Sequence, residues 1–127
     1  MVIRTREALE AVIEHQGKRI LHLDFSKCKA SELGATVEEA KRVISGQHSN
    51  SLLILTDVTD TEMSRDTSRL VKDFTAHNKP YVAASAVVGV SGLKKIIYDA
   101  VLSFSGRQIA TFATTEQAKD WLAGRQT

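Results

Sequence analysis

One cysteine, one proline and an almost even balance of charge set the first limits on this chain. Cys28 has no second thiol to pair with, and His15, His22, His48 and His77 are scattered, so an internal disulfide and a structural zinc site are both excluded. The 17 lysines and arginines nearly cancel the 15 aspartates and glutamates, leaving +2. Nucleic-acid partners call for a basic excess on one face, and none is expected from this balance. No apolar run approaches the length of a membrane span, and charges interrupt every short apolar run near the N-terminus, where a signal peptide would need a continuous one. The expectation is a cytoplasmic protein working in a reducing compartment. Also missing are the GxSxG elbow, the GxGxxG dinucleotide turn and the GxxxxGK[ST] phosphate loop. With no base near Cys28 in sequence, nucleophilic catalysis lacks its parts, so the expectation is a non-enzymatic protein that needs neither cofactor nor metal.

What is present is an ordinary globular composition, 43% hydrophobic and 25% charged, in 127 residues. That length supports one domain over residues 1–127 with one core. Two apolar runs flank Gln16-Gly17, so residues 10–25 are expected to form a β-hairpin; the rival is a short helix over residues 5–14, TREALEAVIE, which is rich in helix formers. Thr36 with Glu39 three residues on fits a capping box, and Val37, Ala40, Val43 and Ile44 then recur at helical spacing up to Gly46. The uninterrupted run SLLILT, residues 51–56, suits a central parallel strand buried on both faces. Met63, Thr67, Leu70, Val71 and Phe74 mark one face of a second helix that should stop near Asn78, because Lys79 precedes Pro80. A strand over residues 81–88 follows, then a third helix on the stripe Leu93, Ile96, Ile97, Ala100, Val101 and Phe104, closed by Gly106. A short strand over residues 107–112 and a helix capped by Thr114 and Gln117, with Ala118, Trp121 and Leu122 inward, end the chain. Alternating strands and helices define an α/β fold with a mixed, mostly parallel sheet, an initial hairpin and about four helices. In such a sheet, ligands gather at the carboxyl ends of the strands.

Two turns at those ends carry the candidate residues. The first, Asp57, Thr59, Asp60, Thr61, Glu62 and Ser64, crowds carboxylates and hydroxyls at a helix start. Helix capping accounts for such residues, and so does a regulated surface where phosphate on Thr59, Thr61 or Ser64 changes which protein partner docks. A magnesium site would have only Asp57 and Asp60 to build on. The second turn, Gly89, Ser91, Gly92, Lys94 and Lys95, sets two lysines against the positive end of a helix. An anion held there, with Arg107 nearby, would offset the repulsion; pairing of Lys95 with Asp99 is the plainer account. Both a protein partner and a small anionic or apolar ligand are therefore open, and the subunit number, including a homo-oligomer, is not fixed.

The segments GKRILHLDFS, LLILTDVT, HNKPYV, VVGVSGLKKIIYDAV and FSGRQIATFATTEQAKDWL together resemble the STAS-like, or SpoIIAA-like, group of small bacterial proteins, over about residues 17–123. The resemblance implies a hairpin followed by βα units wound as a superhelix, a fold related to the Sec14 or CRAL-TRIO lipid-binding domains. It also implies a regulatory protein–protein role. In anti-sigma factor antagonists of this type, a serine in a D-S-S-G-like motif after the central strand is phosphorylated. Here that segment reads Asp57-Val58-Thr59-Asp60, without the serine or the glycine.

Overall fold

The computed structural model describes residues 12–49, 51–62, 65–90, 95 and 109–125. Gln16 and Gly17 both take positive φ, 51° and 80°, and His15 pairs with Lys18, so the chain reverses through a two-residue turn whose twist suits a hairpin. The strands it joins are β1 (Val12–His15) and β2 (Lys18–Asp24), antiparallel. Glu14 and its neighbours are therefore strand, which overturns the rival helix at its C-terminal end; residues 1–11 lie outside the described residues. From β2 onward the pairing is parallel. Helix α1 (Ala30–Ser45) leads to β3 (Leu52–Asp57), α2 (Arg65–Asn78) to β4 (Val82–Val88), and β5 (Ala110–Phe112) to α3 (Thr115–Ala123). The five strands lie in chain order, β1-β2-β3-β4-β5. Successive crossovers that step the same way with the usual right hand put their helices on one face, and α1 and α2 indeed share one core.

The middle strand is buried on both faces. Ile54 joins Leu21, Leu23, Phe25, Val37, Ile44 and Phe74 under α1 and α2, whereas Leu53 and Leu55 join Ile20, Ala86, Ala118 and Leu122 under α3. A register shift in β4 keeps this sorting consistent: Leu52 faces Val82 but Leu53 faces Ala84, so Ala83 is an extra residue and Val82 changes sides. Val82 accordingly packs with the α1–α2 core while Ala83 and Ala84 pack with the other.

The expected start of the first helix is corrected. It begins at Ala30, six residues before the anticipated cap, and Thr36 lies inside it, buried, with its hydroxyl donating to the Glu32 carbonyl at 3.0 Å. The working cap is the Glu32 carboxylate, which accepts the Lys29 N–H at 3.1 Å. Between the two helices, Lys41 bridges Asp73 of α2 and Glu38 of its own helix. The hydrogen bond and charge of Lys41 hold the Asp73 carboxyl below the usual carboxylate range, and Asp73 in turn raises Lys41. At the far end, the Gln117 N–H donates to Thr114 Oγ1 at 3.2 Å, the cap expected for α3. His15 and Gln16 both reach Asp120 Oδ1, at 2.7 and 3.1 Å, tying α3 to the hairpin, and Trp121 sits 5.7 Å from Phe112 between ring centres. The anticipated helix over residues 93–104, with Gly106, lies outside the described residues except for Lys95, which is helical and exposed. Among the described residues, no helix is long and apolar enough to cross a membrane.

Leu53 is 2% exposed and Ile54 likewise. Leu53→Ala should lower the unfolding free energy by about 2–5 kcal/mol, measured in urea, because the cavity opens in a core with backbone on one side and α3 on the other. A loss under about 1 kcal/mol would contradict the burial.

Candidate functional site

Parallel strands deliver their carboxyl ends to one edge of the sheet, and three loops meet there. Asp24 and Asp57, in register on β2 and β3, end their strands side by side, with Val88 of β4 next in line. The loops that follow are stitched by backbone: Phe25 N–H to Asp57 O, Lys27 N–H to Thr59 O and Val58 N–H to Val88 O, each at 2.9 Å. Each carboxylate at a strand end folds its own loop. Asp24 Oδ1 accepts the N–H of Ser26 at 2.9 Å and also its hydroxyl, and Asp57 Oδ1 accepts the Thr59 N–H at 2.9 Å.

The turn after β3 divides into an exposed tip and a buried root. Thr59 and Asp60 are exposed, and Asp60 takes a positive φ of 56°, a conformation that Asp tolerates better than most residues. Thr61 is the root: it is buried, and its hydroxyl donates to the Phe25 carbonyl at 2.6 Å. This removes Thr61 from the accessible hydroxyls. Glu62 serves the start of α1, a role its position in sequence does not suggest. Its carboxylate accepts the Ala30 N–H at 3.0 Å and its own N–H reaches the Cys28 carbonyl at 2.9 Å, so it closes the start of α1, 32 residues away in sequence. Ser64 and Met63 lie outside the described residues.

Gly89 supplies the third loop. Its φ is +92°, and a Cβ there would stand 2.5 Å from Thr59 Oγ1 and 2.7 Å from the Thr59 Cα and N. The two backbones touch only because residue 89 has no side chain. Of the other anion-binding candidates, Lys95 is described and exposed, while Ser91, Gly92, Lys94 and Arg107 lie outside the described residues. No group of three metal-ligating side chains occurs among the described residues, so Asp57 and Asp60 gain no further donor there.

The site residues brought together are thus Asp57, Thr59, Asp60 and Gly89, joined by Asp24, Ser26 and Lys27, which the sequence reading passed over. The signal for them was present: Asp24-Phe25-Ser26 after a strand is an Asx-turn pattern. The fold and this edge define an α/β protein with a five-stranded mixed sheet and an exposed, backbone-locked loop cluster. Comparison with protein-family models, with curated proteins and with solved structures finds no match for the chain.

Three substitutions test the cluster. Gly89→Ala should cost about 1–3 kcal/mol and shift the NMR resonances of Thr59 and Asp60, since the added methyl meets main chain; an unperturbed Thr59 would contradict the contact. Thr61→Val keeps the volume but loses the bond to Phe25, an expected cost of about 1 kcal/mol in chemical unfolding. A fully stable Thr61→Glu variant would show that residue 61 is not a buried root.

Proposed function

We propose that this chain is a non-enzymatic regulatory protein of the STAS-like kind, which docks a protein partner on the loop cluster around Asp57, Thr59 and Asp60. The observation that carries the reading is the combination of an exposed tip with a fixed backbone. Thr59 and Asp60 are exposed, while Lys27, Asp57 and Gly89 hold the main chain of Thr59 from three sides. A surface already held in shape loses little entropy on binding, which is what recognition by a partner requires. Mixed charge around the tip, with exposed Lys27 and Lys29 beside exposed Asp60 and Glu62, suits a polar protein surface with a defined orientation. Thr59 is an exposed residue of the described turn whose Oγ1 lies beside Gly89, and phosphate there would add nearly two negative charges next to Asp60. That placement makes phosphorylation of Thr59 the control on docking.

The test compares partners captured by the wild type with those captured by a Thr59→Ala, Asp60→Asn double variant, in which Asn keeps the positive φ of residue 60, then measures a purified partner against both. The expected result is a loss of about tenfold or more in affinity with an unchanged melting temperature, since tip residues of an interface contribute energy without holding the fold. A Lys119→Ala variant on α3 should bind as the wild type does. Equal binding by the double variant would overturn the docking surface. A Thr59→Glu variant with wild-type affinity would remove the phosphorylation control alone.

A further inference from the structure

At the other end of the sheet, where β2 and β3 begin, Val43 and Gln47 at the end of α1 and the first residues of the two strands line a groove of roughly 340 Å³. It lies opposite the loop cluster and plays no part in the docking reading. Its walls are Leu21, Val43 and Leu52, and its polar margin is Arg19, Gln47 and Ser51. Val43 and Leu52 are only partly buried, so apolar surface faces the opening. The margin is unevenly available. Ser51 Oγ donates to the His48 carbonyl at 2.8 Å and Gln47 Nε2 to the Val43 carbonyl at 3.4 Å, whereas the Arg19 guanidinium makes no hydrogen bond or ion pair with another described residue.

From this arrangement we infer that the groove binds a small aliphatic carboxylate, with its chain against Leu21, Val43 and Leu52 and its head group on Arg19. The volume sits at the small end of ligand sites, which begin at roughly 300 Å³, and so suits a medium-length chain and not a large cofactor. The lining has aliphatic side chains and no ring to stack on. One planar guanidinium matches one carboxylate in a two-point contact. The groove borders the C-terminal end of α1, whose negative dipole opposes any anion and a phosphate dianion about twice as strongly as a carboxylate, so the head group is a single charge held by Arg19 against that field.

The probes are octanoate, octanol and acetate, each titrated below its aggregation limit into the full chain while methyl and amide NMR signals are followed. Octanoate should saturate and move Leu21, Val43 and Leu52, acetate should leave them in place, and octanol should bind about tenfold more weakly. Arg19→Gln should bring octanoate down to the octanol level, while Arg19→Lys keeps part of the difference because it retains charge but loses the fork. Both variants should melt with the wild type, since residue 19 is exposed. Equal binding of octanoate and octanol, equal binding of acetate, an Arg19→Gln variant with wild-type affinity, or no saturation at all would each overturn the assignment.

Discussion

Burial of β3 on both faces is the constraint on which the rest of the molecule depends. Leu53 and Leu55 point one way and Ile54 the other, and each set has a helical cover. A strand in that position must be flanked by strands on both sides and by helices above and below, because any bare face would expose a row of large aliphatic side chains. The hairpin with α1 supplies one flank and β4 the other, while α1 with α2 and α3 supply the two covers. The loop cluster is a by-product of the same arrangement. Three parallel strands in register bring Asp24, Asp57 and Val88 to one line, and the loops have nowhere to go but against each other.

The features legible in the sequence are those whose causes are local. Gln16-Gly17 gave the hairpin, the uninterrupted LLIL gave the central strand, Lys79-Pro80 gave the stop of α2, and Thr114 with Gln117 gave the cap of α3. The start of α1 was not legible, because part of what closes it is the Glu62 carboxylate from a distant loop and Lys29 is no ordinary cap. Gly34 is carried inside the helix, facing Leu70 of α2. The candidate site was half legible for the same reason. Its residue types announced a polar turn at a strand end, but whether a hydroxyl was tip or root depended on the Phe25 carbonyl, 36 residues from Thr61. Gly89 could be seen to need freedom of backbone; that Thr59 was the cause could not.

The two ends of the sheet are built on different terms. At the carboxyl end, backbone hydrogen bonds hold polar loops so closely that a methyl group at residue 89 does not fit. At the amino end, a groove between the last turn of α1 and the starts of β2 and β3 leaves apolar surface beside a guanidinium.

The strand order carries a consequence for synthesis on the ribosome. Because each strand pairs with the one before it, the sheet can be assembled as the chain emerges, with no strand waiting for a distant partner to be inserted beside it. The cost falls at one moment. Once β3 has docked on β2, its other edge offers the bare amides and carbonyls of Leu52–Asp57, a strand that opens with four consecutive aliphatic residues, until the helix and turn through Tyr81 have been made and β4 can close it. The helix spanning that interval, α2, exposes Arg69 and Asp73, so the segment made while the edge waits adds charge beside it.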